Sequence, residues 1–178
     1  MTQRLAYSRT AAVMLLCAAA LVPLSTTAST PDLVKLAIFE FEFEDMSAGA
    51  SAAGTAPSDG QHLAEVTNSV RDLFLQSGRY SLVDVGGADA AEVKAGTLRT
   101  CDGCDAAIAQ QLGAEQSFVG VVKRITRTEY TVRYQIRDAN TGAVLSSADS
   151  GLRMGADYSW SRGAVRLIKD QLLEKAQQ

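Results

Sequence analysis

The stretch Gln116–Leu145, QSFVGVVKRITRTEYTVRYQIRDANTGAVL, predicts the centre of the fold, an antiparallel β-meander. Its first part is mainly apolar, and from Thr128 to Asp138 apolar and polar residues alternate strictly, as in a strand with one buried face. Asn140-Thr141-Gly142 supplies a turn, because glycine adopts positive φ without steric cost. We therefore predict three antiparallel strands, over 116–126, 128–138 and 143–153.

Upstream of the meander, the sequence predicts strands that alternate with helices. Val34–Phe43, VKLAIFEFEF, begins with continuous apolar residues, as in a strand covered on both faces, and then alternates phenylalanine with glutamate. The alternation places Phe39, Phe41 and Phe43 on one face of this strand. Helices are predicted over 61–77, 88–95 and 105–112, a second strand over 80–85, and a long flexible loop over 45–60. A final helix over 158–175 follows the meander.

This order of elements predicts a single α/β domain built on one mixed sheet of about five strands. The strand–helix–strand order of the first half favours parallel strands joined by right-handed crossovers, whereas the carboxyl-terminal meander is antiparallel. The helices pack against the sheet. Residues 29–178 have a length that suits one domain with one core.

The amino terminus has the organisation of a secretory signal peptide. Arg4 and Arg9 accompany the apolar run Ala11–Leu24, and small residues precede a cleavage site near Ala28. The apolar run is shorter than the roughly 20 residues of a membrane-spanning helix. We predict a signal peptide over 1–28, a periplasmic location, and no integral membrane span after its removal. Cys17 is an alternative lipid-attachment site, which the preceding leucine disfavours.

The net charge bounds the class of partner. The chain carries a formal charge of −3, and loss of residues 1–28 removes two arginines and no acid, which gives −5. A mildly acidic chain lacks the concentrated basic face that phosphate backbones need, so we predict no nucleic-acid partner.

Cys101 and Cys104, in the segment CDGC, are the two cysteines that remain after cleavage. We predict a structural disulfide that ties a loop to the start of the next helix. A redox-active pair is an alternative, although Asp102 and Asp105 would raise rather than lower the thiol pKa. A metal site is a further alternative that needs two more ligands, and His62 is the single histidine. Asp105 stands where a c-type haem motif needs histidine, which excludes haem attachment.

Glu40, Glu42, Glu44 and Asp45 form an acidic end to the first strand. In open α/β sheets, ligands bind beyond the carboxyl ends of parallel strands, so this is the preferred functional edge. Three interpretations stay open: a solvated face, a surface for a partner or ligand, and a cation or paired-carboxylate site. No calcium-loop spacing is present, and we predict no metal site and no cofactor.

Arg133 and Arg137 make the polar side of the meander basic. Such a face is either simply solvated or a surface for an acidic partner. Trp160 recurs with Ala164 and Leu167 at helical spacing, which predicts a core position rather than a sugar-stacking one. His62 is predicted to have a surface or capping role. No nucleophile motif is recognisable, so no catalytic residue is assigned.

Four segments carry a resemblance: LAIFEFE from Leu36, VRDLFLQSGRYSLVDV from Val70, CDGCDAAIAQQLGAEQSFVGVV from Cys101, and YQIRDANTGAVL from Tyr134. Together they resemble an uncharacterised family of secreted bacterial domains of unknown function. They are more distantly similar to the amino-terminal domain of the TolB translocation protein and to the CsgG type of periplasmic α/β domain. The resemblance rests on packing and turn residues, and Glu115 departs from the aspartate that the relatives often have. It implies a non-enzymatic accessory domain that binds another cell-envelope protein.

Overall fold

The computed structural model describes residues 32–47, 57–126, 128–150 and 160–175. The described residues form one compact unit. The predicted signal peptide, its cleavage site and Cys17 lie outside the described residues, and so do residues 48–56 of the predicted 45–60 loop. Residues 57–60, predicted as the end of that loop, instead form the first turn of a helix.

The described residues form one sheet of six strands with helices on both faces. The strands are β1 (Val34–Ile38), β2 (Glu42–Asp45), β3 (Tyr80–Val83), β4 (Gln116–Arg124), β5 (Tyr130–Asp138) and β6 (Val144–Asp149). The helices are α1 (Pro57–Gln76), α2 (Ala91–Ala95), a 3₁₀ helix (Leu98–Thr100), α3 (Cys104–Gln111), α4 (Trp160–Ile168) and a π-helical turn (Lys169–Leu173).

The sheet has the order β3-β1-β4-β5-β6, and β2 also pairs with β4. β1 and β2 run parallel to β4, and β1 runs parallel to β3. The β4–β5 and β5–β6 pairs are antiparallel. The predicted fold, one mixed sheet with a parallel first half and an antiparallel meander, is therefore confirmed. The described part of the sheet has six strands rather than about five because the first predicted strand is divided in two.

Two clusters of apolar side chains lie on opposite faces of the sheet. Phe118 and Val122 of β4 pack with α1 and α4 in the larger cluster, whereas Val119 and Val121 pack with the 3₁₀ helix and α3 in the smaller one. Trp160 is 1% exposed, which confirms its predicted core position. The strand that was predicted to be covered on both faces is also buried, since Leu36–Phe39 are at most 2% exposed.

A β-bulge interrupts the first predicted strand. β1 ends with Ile38 beside Phe118, and β2 begins with Glu42 beside Val121, so this strand contains one more residue than the matching part of β4. The extra residue reverses the faces, and Phe39 packs in the smaller cluster while Phe41 packs in the larger. The prediction that Phe39 shares a face with Phe41 and Phe43 is therefore wrong.

Gly120 gives the physical reason for the reversal. The Phe41 ring lies directly over Gly120, where a side-chain Cβ would approach ring carbons to 2.4 Å. The glycine thus creates the space that admits a phenylalanine on this face. Phe41 in turn packs against Phe118, with ring centroids 5.9 Å apart.

Candidate functional site

A cleft of about 1030 Å³ opens beyond the carboxyl ends of β1 and β3. The chain passes from β1 and β2 to α1 on one face of the sheet, and from β3 to α2 and the 3₁₀ helix on the other. Connections that diverge to opposite faces leave a crevice between them, and this is where open α/β sheets bind ligands. The lining comes from residues 39–43, from two positions of α1, from the end of β3, and from residues 93–99.

Glu42 holds one wall of this cleft. Its carboxylate is buried and accepts hydrogen bonds from the Leu98 N–H at 2.5 Å and the Arg99 N–H at 3.1 Å. The Arg99 guanidinium adds a third hydrogen bond, at 2.8 Å. The carboxylate therefore fastens the 3₁₀ helix to β2, and its oxygens are occupied by groups of the protein itself.

The other predicted acidic residues diverge from Glu42. Glu44 pairs with Lys123 at 3.0 Å. Asp45 pairs with Arg124 at 2.9 Å. Glu40 is exposed and lines the cleft together with Glu42, whereas Glu44 and Asp45 are not part of the lining. The structure thus divides the acidic strand end into two cleft residues and two ion-paired residues beyond it.

Arg124 connects β2, α1 and β5. Besides Asp45, its guanidinium contacts the buried Asp59 of α1 at 3.1 Å and donates to the Tyr130 hydroxyl at 3.1 Å. It also lies over the Phe43 ring, 4.7 Å from the centroid. No local sequence pattern marks Arg124, because its partners come from distant parts of the chain.

The facing wall is α1, which contributes two side chains that contact the strand backbone. The Thr67 hydroxyl accepts a hydrogen bond from the Phe41 N–H at 3.0 Å. The Arg71 guanidinium donates to the Ile38 carbonyl at 3.1 Å. Neither residue was predicted from the sequence, since neither interrupts the amphipathic pattern of the helix and no local signal distinguishes them.

Acid is expected to weaken the contacts of β2 with the rest of the domain. The Ser47 hydroxyl, together with the Ser47 N–H and the Arg124 guanidinium, holds the pKa of Asp45 below its usual value of 3.8. A carboxyl group whose pKa is lowered by folding stabilises the protein above its unfolded pKa, and this contribution disappears as pH falls through the folded pKa. We expect the urea concentration at the unfolding midpoint to decrease as the pH drops below about 4, and this decrease should be smaller in Asp45→Asn.

The matched control for this pH dependence is Asp89→Asn, because the Asp89 side chain is 90% exposed. Its urea midpoint should follow the wild-type pH curve. If acid lowers the stability of Asp45→Asn as much as that of the wild type, the pH dependence does not come from Asp45.

Cys101 and Cys104 form a disulfide, with their Cα atoms 5.6 Å apart. Both cysteines pack against the smaller apolar cluster. The bond joins the end of the 3₁₀ helix to the first residue of α3, and so it reinforces the cleft wall that Glu42 holds. The predicted disulfide is thus present in the structure, and its structural rather than redox role stays a prediction.

Removal of this disulfide is expected to cost about 2 kcal/mol, because so short a loop restricts the unfolded chain only modestly. The measurement is urea unfolding of the Cys101→Ser, Cys104→Ser double variant, with reduced wild type as its control. A structural bond should also have a reduction potential below about −300 mV against glutathione. A higher potential would favour the redox alternative instead.

Of the two arginines of the predicted basic face, only one is exposed to solvent. Arg137 is half-buried and donates to the Gly142 carbonyl at 2.9 Å. It also forms ion pairs with Asp102 at 3.3 Å and with the buried Asp105 at 3.6 Å. Arg133 is exposed, and neither arginine lines the cleft. Their part in binding a partner stays a prediction.

Two further properties concern the described residues. Within them, no group of three or more histidine, cysteine, aspartate or glutamate side chains is arranged to hold a metal ion. In the same part of the chain, no helix combines the length and apolar character needed to cross a membrane.

His62 packs edge-on against Trp160, with centroids 5.7 Å apart, and contacts Glu65 at 3.4 Å.

Residues 34–172 match the family DUF3280, described as a protein of unknown function (DUF2380). The chain belongs to this family. No curated protein matches it. The prediction of an uncharacterised family is confirmed, and the more distant resemblance to TolB and CsgG stays a prediction.

Several solved structures are similar to this DUF3280 chain. The LpoB C-terminal domain from Escherichia coli is 17% identical, with a TM-score of 0.46, over 71% of this chain and 86% of that one. Lipoprotein GNA1162 from Neisseria meningitidis is 12% identical, with a TM-score of 0.46, over 70% and 83%. The PelC dodecamer from Paraburkholderia phytofirmans is 18% identical, with a TM-score of 0.41, over 80% and 89%.

Proposed function

We propose that this DUF3280 chain is a non-enzymatic accessory domain of the cell envelope that binds another envelope protein at the cleft. The observation that carries the proposal is the cleft itself, at the position where the chain connections diverge to opposite faces. The predicted signal peptide over 1–28 supports a periplasmic address.

The chemistry of the cleft wall favours binding over catalysis. A general base needs an acceptor oxygen within hydrogen-bond reach of a substrate proton. Both oxygens of Glu42 already accept hydrogen bonds, from Leu98 and Arg99. An arrangement of this kind keeps a wall rigid, which is what a recognition surface requires.

The rim of the cleft favours a macromolecular ligand. Glu40, Asp84 and Lys94 are exposed there, so charged groups surround the partly apolar interior. An apolar centre with a polar rim is the ordinary composition of a protein interface. A small ligand is the second candidate, favoured by a volume of about 1030 Å³, which is comparable to that of large small-molecule pockets.

Site-specific photo-crosslinking in living cells tests the proposal. A benzophenone amino acid at Lys94 places the probe on the rim, and the same probe at Leu75 is the control, because Leu75 is 53% exposed near the carboxyl end of α1 and does not line the cleft. We expect a discrete adduct with one envelope protein from the Lys94 position alone.

The adduct is then identified and the partner purified. Its affinity should fall about tenfold or more with Asp84→Lys, as expected for a charge at an interface rim. Identical adducts from both probe positions, or none from Lys94, would overturn the proposal. A retained small molecule in protein purified from the periplasm, without any adduct, would favour the second candidate.

A further inference from the structure

The outer edge of β2 faces the cleft. β3 pairs with β1 as far as Val83, which lies beside Ala37, and then leaves the sheet. β2 continues along β4, and within the described residues no strand pairs with its other side. The strand position that β3 vacates beside β2 is therefore occupied by the cleft.

Two hydrogen bonds identify which backbone groups face this vacated position. Before the bulge, the Phe39 N–H points to β4 and bonds to the Phe118 carbonyl at 3.2 Å. After it, the Met46 N–H bonds to the Arg124 carbonyl at 2.8 Å. Because backbone groups along a strand alternate in direction, the N–H and C=O groups of Glu42 and Glu44 also face β4. The N–H and C=O of Phe43 consequently face the cleft.

In the described part of the chain, side chains of α1 form hydrogen bonds with the first backbone groups of this edge and with none beyond Phe41. Arg71 bonds to the Ile38 carbonyl, and Thr67 bonds to the Phe41 N–H. Within residues 32–47, 57–126, 128–150 and 160–175, no group bonds to the Phe43 N–H or C=O from the cleft side. An unpaired strand edge of this kind is a template for an added strand.

We propose that the cleft binds an extended segment of the partner protein by β-strand addition to the outer edge of β2 at Phe43. This inference rests on the proposed function and specifies its mode of recognition. The backbone of the segment continues the sheet in the place that β3 leaves, and its side chains alternate between the two walls.

The side chains of the cleft define the chemistry of the segment. Phe43 and Leu63 give one wall an apolar surface, so the residue that points there is apolar. Glu40 is exposed at the mouth, and no ion pair engages it within the described residues, so a basic residue of the segment lies beside it. Main-chain bonds supply affinity in such complexes, and these alternate side chains supply specificity.

The test begins with protein purified from cells that express the full chain. A phage-displayed library of random dodecapeptides is selected on it, and the strongest peptide is synthesised unmodified and in two N-methylated forms. One form carries the methyl groups on odd residues and the other on even residues. N-methylation removes a backbone donor while it leaves every side chain in place.

Strand addition predicts a difference between the two methylated forms. The form methylated on the side that faces β2 should bind at least about tenfold more weakly, since the donor to the Phe43 carbonyl is lost and the methyl group meets the strand edge. The other form should bind like the unmodified peptide. Hydrogen exchange at the Phe43 amide should slow about tenfold or more when the unmodified peptide binds.

A pair of charge variants tests the predicted basic residue. Glu40→Lys should weaken the selected peptide, whereas Glu92→Lys makes the same charge change at an exposed position outside the cleft lining and should not. Equal binding of the two methylated forms, unchanged exchange at Phe43, or no selectable peptide would overturn the inference. Slow exchange at Phe43 in a dimer without peptide would overturn it in favour of a second copy of this chain.

The outcomes separate this inference from the proposed function. If an envelope protein crosslinks at Lys94 while both methylated peptides bind equally, the proposed function is supported and strand addition is contradicted. If the two methylated peptides bind differently but no envelope protein is crosslinked, strand addition at β2 is supported and the proposed function is contradicted.

Discussion

Glu42→Ala will destabilise the protein by about 3 kcal/mol or more, because removal of one member of a buried ion pair leaves its partner uncompensated. The Glu42 side chain is 3% exposed, and that of Arg99 is 22% exposed. The substitution also leaves the Leu98 and Arg99 N–H groups without their acceptor. An unsatisfied buried donor costs about 1–3 kcal/mol in desolvation.

Urea unfolding at neutral pH measures the loss, and Glu40→Ala is the matched control. Glu40 lies two residues away in the same acidic segment but is exposed, so its removal should change stability by less than about 0.5 kcal/mol. Glu42→Gln keeps one carbonyl acceptor and should lie between the two. Hydrogen exchange at Leu98 and Arg99 should accelerate in Glu42→Ala. Equal stability of the Glu42 and Glu40 alanine variants would show that the wall is held by other contacts.

Gly120→Ala will destabilise the protein by about 2–3 kcal/mol through overpacking. The added Cβ would lie 2.4 Å from two carbons of the Phe41 ring, closer than side-chain atoms can approach. Phe41 is 3% exposed and packs against Phe118, so its ring cannot simply rotate into solvent without loss of core contact. The strain falls on the bulge that separates β1 from β2.

Two variants distinguish overpacking from a general intolerance of alanine. Gly87→Ala has open space around its Cβ and should be nearly neutral. Phe41→Leu creates room over position 120, so the double variant Gly120→Ala, Phe41→Leu should lose less stability than the sum of the two single variants. Additive losses in urea unfolding would contradict direct contact between the ring and the new methyl group.

The architecture was largely predictable because its patterns are local. The alternation from Thr128 to Asp138 became β5, and the Asn140–Gly142 segment became the turn into β6, with Gly142 at φ +70°. The helical spacing around Trp160 likewise indicated the core face of α4. In each case, the residues that decide the structure lie within a few positions of one another.

The candidate site was predictable in position and not in detail. The acidic end of the first strand does adjoin a cleft, as expected at the carboxyl ends of parallel strands. The partners of its acids were not foreseeable, because Leu98 lies 56 positions from Glu42 and Arg124 lies 79 positions from Asp45. No periodic pattern encodes contacts at that separation.

The sequence by itself determined the kinds of element, their order, and the division into parallel and antiparallel halves, because hydrophobic period and turn residues act over short distances. The tertiary structure alone decided that the first strand breaks at a bulge, that Phe39 and Phe41 lie on opposite faces, and that Glu42 becomes a buried support rather than a solvated acid. The physical reason is steric and long-range: the space over Gly120 admits the Phe41 ring, and filling it shifts every later side chain of that strand to the other face.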